Sequence, residues 1–166
     1  MQLADIPLVH AIDVLSFSLP WPESSYHFEL TENPSTLALV AELATSSPAT
    51  TIIGMSITWL VVDEAHIATI AIHPEYRGSG YGKQLLRQTL ILSIKRGAVL
   101  AALEVREGNH IAQQMYREFG FEIVGRRPRY YKDNNENAIL MSLLKMGPEY
   151  LAWLEDKDAG NGTHLG

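Results

Sequence analysis

Cysteine is absent from all 166 residues. That excludes disulfides, thiolate metal sites and a cysteinyl covalent intermediate. Basic residues are missing too over a long stretch, the first Lys or Arg being Arg77. Secretory signal peptides and Arg-rich transit peptides both need positive charge near the N-terminus, so neither is expected. Long hydrophobic runs are also lacking. The longest, around Ile52–Val62 and Leu85–Ile94, are broken by Gly, Ser, Thr, Arg and Gln, well short of the roughly 18 residues of a membrane helix. The histidines show no i, i+4 ligand pair, so no metal is expected. These absences predict a cytoplasmic protein with no membrane partner.

What is present is an uneven charge. Residues 1–76 hold nine acids and no base, residues 77–132 are +7, residues 133–166 are −4, and the chain is −6. A basic middle between acidic flanks suits an anionic ligand of limited size. A nucleic acid is not expected, because a net-acidic protein meets a repulsive field along a polyanion. With 46% apolar and 19% charged residues, the chain is of ordinary globular composition. A single domain is expected over residues 1–157, followed by a disordered tail over 158–166.

Hydrophobic periodicity organises the chain. Asp5 is placed to cap a helix whose Ile6, Val9, Ile12 and Leu15 share a face, stopped by Pro20-Trp21-Pro22. A short helix is predicted from Ser24 to Leu30. Leu37–Leu43, Thr51–Val62 and Ala65–Ile72 read as strands of an antiparallel meander, joined at Thr45–Pro48 and Asp63–Glu64. A helix from Gly80 to Lys95 would cross over to a strand at Ala98–Val105, giving a β-α-β unit. Asn109 would cap a helix through Phe119. A hairpin of Phe121–Tyr131 and Asn137–Leu144 would follow, then a short helix over residues 148–157.

The turn between strand and crossover helix, Arg77-Gly78-Ser79-Gly80-Tyr81-Gly82-Lys83, brings backbone N–H groups to the positive end of a helix dipole, which suits phosphate. Its glycines alternate, which fits neither the dinucleotide fingerprint nor the NTPase loop. The pattern is Arg-x-x-Gly-x-Gly. With the preceding Ile70-Ala71-Ile72-His73-Pro74-Glu75-Tyr76 it resembles the acetyl-CoA signature of the GNAT N-acetyltransferases. Leu103–Asn109 and Met115–Phe121 resemble the second half of that fold. So do Leu19-Pro20-Trp21, Arg129-Tyr130-Tyr131 and Ala138–Leu143, which point more narrowly to the bacterial ribosomal-protein-alanine N-acetyltransferases, the RimI type. Covering roughly residues 5–144, the resemblance implies an α/β fold: a mixed, mostly antiparallel sheet of about six to seven strands, about four flanking helices and a β-α-β acetyl-CoA-binding core.

The resemblance also implies roles. Acetyl-CoA would be held by the backbone of Ile70, Ala71 and Ile72 and of Arg77, Gly78, Ser79, Gly80, Tyr81, Gly82 and Lys83, with Asn109 as a further contact. Glu104 would be the general base and Tyr116 the general acid, and Trp21, Tyr130 and Tyr131 would line the acceptor groove. The residues alone are compatible with this chemistry. Glu104 lies in the apolar run Leu100–Val105, where burial is expected to raise a carboxylate's pKa towards that of a useful base. Tyr116 is two helical turns beyond Asn109, on the same face. Its phenol stays protonated at neutral pH and can supply a proton to a thiolate. Read without the resemblance, Asn109 is a helix cap, Tyr116 has a core aromatic as its alternative, and Trp21, Tyr130 and Tyr131 have a core or surface aromatic as theirs.

The attacking amine must be neutral. At pH 7 an α-amine costs about 1 kcal/mol to deprotonate and a lysine about 4.6 kcal/mol, so one carboxylate is better matched to a protein N-terminus. The expected activity is acetylation of a protein N-terminal α-amine, an alanine of a ribosomal protein by the resemblance. The acidic first 76 residues would flank the acceptor side. Two alternatives remain: acetylation of a small amine such as a polyamine or aminoglycoside, and an acyl-CoA-binding regulatory module without turnover. An open groove beside Trp21 and Tyr131 would favour a peptide, and a closed acidic pocket a small amine.

Overall fold

Alternating β-branched and apolar residues build a six-stranded sheet in the computed structural model, which describes residues 1–43 and 51–159. The strands are β1 (Thr36–Leu43), β2 (Thr51–Val61), β3 (Glu64–Ile72), β4 (Leu100–Arg106), β5 (Glu122–Arg127) and β6 (Ala138–Leu143). The α-helices are α1 (Ile6–Ser16), α2 (Glu23–Thr31), α3 (Tyr81–Lys95), α4 (His110–Glu118) and α5 (Pro148–Ala159). The strand order is β1-β2-β3-β4-β6-β5, and only β3 and β4 run parallel. A parallel pair needs a crossover, which α3 supplies. The mixed, mostly antiparallel architecture expected from the sequence is therefore present.

Each face of the sheet has its own core. On one face Leu86, Leu90 and Ile91 of α3, Tyr116 of α4 and Leu154 of α5 pack on Ile67, Leu103, Val105 and Met141. On the other, Ile6, Val9 and Ile12 of α1 and Tyr26 of α2 cover Met55 and Ile57. Burying such a side chain contributes roughly 1.5–3 kcal/mol, and these contacts fix both helix layers against the sheet.

Between the two cores the sheet splits. The β3–β4 ladder registers only Glu64–Ile67 with Leu100–Leu103. At that point β3 contains a bulge: Ile57 faces Thr69 and Thr58 faces Ile67, leaving Ala68 as the extra residue. A bulge bends its strand and breaks the alternation of faces. Ala65 and Ile67 accordingly join the α3-side core, Ala68 and Ala71 pack on the α1-side core, and Ile70 returns to the α3 side. Beyond it, β3 continues beside β2 and β4 beside β6, and a wedge opens between them.

Several boundaries differ from expectation. β5 ends at Arg127 rather than Tyr131, because Pro128 lacks a ladder donor and Arg129 turns into the left-handed region at φ 53°. Tyr130 and Tyr131 consequently sit in a long connection. The Asp5 carboxylate accepts from the Gln2 backbone N–H at 2.6 Å and makes no cap bond to α1. The last helix runs to Ala159, two residues into the expected tail. The Thr45–Pro48 connection and residues 160–166 lie outside the described residues.

Candidate active site

The Gly-rich turn leaves β3 through a short 3-10 turn at Pro74–Tyr76 and enters α3 at Gly80. Gly78 and Gly80 have φ of 81° and 86°, while a Cβ at either would meet nothing within 4 Å. Backbone handedness, not crowding, therefore requires glycine. Gly80 provides no side-chain cap, so the first N–H groups of a four-turn helix are left for a ligand. The nearby cations are engaged elsewhere. Arg77 Nε donates to the Ile72 carbonyl and Nη2 to Ser16 Oγ, both at 2.9 Å. Lys83 pairs with Glu118 of α4 at 2.6 Å. An anion placed here would meet backbone donors rather than side-chain cations. Ile70, Ala71 and Ile72 lie on the β3 segment bordering the wedge.

Glu104 lies on β4, one residue past the last β3–β4 pair, on the α1 side of the sheet. The expectation that burial raises its pKa is not met. His66 Nε2 lies 3.0 Å from Oε2, and Arg127 Nη1 of β5 lies 3.2 Å from Oε1. The hydrogen bond from His66, with the charges of His66 and Arg127, outweighs desolvation and holds the carboxyl below its ordinary value. His66 is correspondingly raised, the Glu104 hydrogen bond being the largest cause and burial opposing it. The site holds a carboxylate–imidazole pair rather than an isolated carboxylate.

Tyr116 projects from α4 into the α3-side core, where it is 6% exposed and tilts on Phe121 with ring centroids 5.7 Å apart. Burial, with a smaller contribution from Tyr131, pushes its phenol well above the ordinary value, so it remains a proton donor. Asn109 caps α4, its Oδ1 accepting from the Ala112 N–H at 3.1 Å. The capping expectation therefore holds for Oδ1.

The aromatics expected to line an acceptor groove separate into two groups. Trp21, whose backbone N–H donates to the buried Asp13 carboxylate at 2.6 Å, stacks on Trp59, and Trp59 stacks on His66 with centroids 5.7 Å apart and planes at 13°. This ladder ends at Glu104. Beside it is an open cleft of about 380 Å³ whose walls include Pro20, Trp21, Pro22, Phe28, Glu29 and Trp59. From the other direction, Tyr131 lies under the Arg106 guanidinium at 3.9 Å and Tyr130 lies near Arg127. Burial pushes the Tyr131 phenol up to about 12. Arg106 ties the 128–137 connection down through Asp133, Asn134 and Glu136 and also holds Ser18 of the α1–α2 connection.

Three participants escaped the sequence reading: His66, Trp59 and Arg106. Their common signal is alternation. His66, two positions after Glu64 and opposite Ala102, shares a sheet face with Glu104 once the β3–β4 register is known, which sequence periodicity alone does not supply.

A family model described as the Acetyltransferase (GNAT) family matches residues 6–121. The [ribosomal protein bS18]-alanine N-acetyltransferase of Escherichia coli (strain K12) is 30% identical over 154 residues, covering 86% of this chain and 93% of that protein. A Bacillus subtilis (strain 168) protein provisionally named for the same activity is 41% identical over 141 residues, covering 85% and 90%. The crystal structure of the E. coli ribosomal-protein-S18-alanine N-acetyltransferase superposes with a TM-score of 0.75 over 90% of this chain and 94% of that one. A chain of the NatC complex bound to Gag peptide and CoA gives 0.73 at 25% identity, covering 86% and 90%.

Proposed function

Since this chain belongs to the GNAT family of acetyltransferases, we propose that it transfers the acetyl group of acetyl-CoA to the N-terminal α-amine of a protein, with the N-terminal alanine of ribosomal protein bS18 as acceptor. The observation that carries this reading is the wedge past Ile67 and Leu103, with the uncapped α3 N-terminus following one strand and the Glu104 carboxylate on the other. The two relatives named for this acceptor are matched over nearly their whole length, which supports the acceptor. The open cleft beside Trp21 and Trp59 suits an extended chain rather than an enclosed polyamine.

Acetyl-CoA, when bound, supplies an activated thioester carbonyl. The backbone of Ile70–Ile72 lines its arm, and the backbone of residues 77–83, through the N–H groups that follow Arg77, whose own N–H is donated to the Pro74 carbonyl, binds its phosphates. Asn109 contacts it through the amide group that the cap leaves free. Trp21, Tyr130 and Tyr131 flank the incoming N-terminus. The anionic Glu104 attracts the ammonium group and accepts its proton, releasing the lone pair for attack. The Tyr116 hydroxyl, kept protonated by burial, gives its proton to the departing sulfur and recovers one from the acylated nitrogen. The test is a peptide panel containing an Ala-initiated bS18 peptide, polyamines and aminoglycosides, read by free-thiol release and mass spectrometry. Turnover of the bS18 peptide is expected, and turnover of the small amines alone refutes the acceptor.

A further inference from the structure

A carboxylate held below its ordinary pKa is a poor final holder for an amine proton. Even at ordinary values, about 7.8 for an α-amine and 4.3 for a glutamate, that transfer is unfavourable by a factor of roughly 3,000. Transfer to an ordinary histidine is unfavourable by only about 20. We infer that the amine proton does not remain on Glu104 but passes through it to Nε2 of His66. The inference rests on the reading of Glu104 as the group that meets the amine.

The geometry supports this in three respects. Nε2 is 3.0 Å from Glu104 Oε2, so the proton moves along an existing contact. Glu64 Oε1 lies 4.0 Å from Nδ1, beyond hydrogen-bond reach, and its charge on that side of the ring stabilises the imidazolium that forms when a neutral ring protonated at Nδ1 accepts the proton at Nε2. Trp59 covers one face of the ring with near-parallel planes, fixing its orientation and stabilising the imidazolium by a cation–π contact. Other elements also present charge here. Glu104 and Glu64 favour the imidazolium, whereas Arg127 opposes it, and the Glu104 charge in turn helps to raise the Tyr131 phenol of the 128–137 connection. The step balances: an N–H bond of the ammonium breaks, an Nε2–H bond forms, and the carboxylate is unchanged on completion. The proton leaves to solvent after turnover, because His66 is half-buried rather than sealed. His66 acts through Glu104 and is a positioning and proton-holding residue.

The test compares the pH dependence of kcat for wild type and His66→Gln with the best accepted amine. Wild type is expected to lose rate on the acid side with a midpoint above 6.5, as His66 becomes protonated before substrate arrives. His66→Gln should lower kcat about 100-fold at pH 7.5, remove that ionisation and leave acetyl-CoA affinity unchanged. A variant that retains both the rate and the acid limb overturns the inference. Nuclear magnetic resonance titration of the His66 ring decides independently of any acceptor. Its pKa should fall in Glu104→Gln, and an unmoved titration overturns the pairing. If only small amines turn over, the acceptor reading falls while the kcat profile with that amine still decides the role of His66.

Discussion

Replacing Tyr116 by Phe removes one oxygen and leaves the ring. That ring is part of the α3-side core, packed on Phe121 and 6% exposed, so its burial survives the change. No protein hydrogen bond to the hydroxyl is present among the described residues, and the net contribution of about 1 kcal/mol that such a bond makes is not at stake. Unfolding free energy should therefore change by less than about 0.5 kcal/mol, whereas Tyr116→Ala, which empties the site, should cost about 3–5 kcal/mol. Activity should respond in the opposite order of subtlety. Loss of a positioned proton donor lowers kcat about 10²–10⁴-fold, equivalent to about 2.7–5.4 kcal/mol on the barrier. Thiol release under saturating acetyl-CoA gives kcat, calorimetric titration gives acetyl-CoA affinity and urea unfolding gives stability. Equal kcat for Tyr116→Phe and wild type would refute the general-acid assignment. A fall in stability matching the fall in rate would show that the hydroxyl serves the fold instead.

Gly80→Ala should cost about 1–2 kcal/mol in urea unfolding, the ordinary penalty of a left-handed L-residue, since its Cβ meets nothing; acetyl-CoA affinity should fall with it because the donors of the α3 N-terminus shift. Arg106→Met should raise the peptide KM about tenfold, or about 1.4 kcal/mol, with acetyl-CoA affinity unchanged, because it releases the connection carrying Tyr130 and Tyr131. The His66–Glu104 pair should give stability a two-sided pH dependence. Glu104, held low, contributes above about 4.5 and loses that contribution as pH falls through its folded value; His66, held high, contributes below about 6.5 and loses it as pH rises through its own. The wild-type advantage over His66→Gln in urea unfolding should therefore be greatest between about pH 4.5 and 6.5, and an advantage constant from pH 4 to 9 would count against the pair.

Much of this was legible because local rules and tertiary structure agree. The uncapped entry to α3 follows from glycines in the turn, Gly97 ends the crossover with φ 101°, and Asn109 caps α4 as its position suggests. Legibility failed where partners come from distant segments. The sequence places Glu104 on a strand but not beside His66 of β3 and Arg127 of β5, and burial alone gives the opposite pKa direction from the one these partners impose. The charge blocks were similarly misleading in detail. Arg106, Lys83, Lys95 and Arg126 of the basic middle are paired with Asp133 and Glu136, Glu118, Glu155 and Glu107. Among the nine early acids, Asp13 and Glu29 are buried and hold Trp21, Asn33 and Thr36 in place. Regional net charge describes the far field, while the local site is governed by these pairings.

The extra residue at Ala68 divides β3 between the two substrates of the proposed reaction. Upstream of it, His66 stacks on Trp59 and meets Glu104; downstream, the edge of the same strand parts from β4 and borders the wedge. Chain length, and not side-chain identity, is what separates these duties. Deleting Ala68 would restore uninterrupted alternation, shift Thr69–Ile72 by one register and let β3 zip further along β4. The resulting loss of acetyl-CoA binding would occur with every side chain assigned to its recognition still present, a dependence invisible to residue-by-residue substitution and visible only to insertions and deletions.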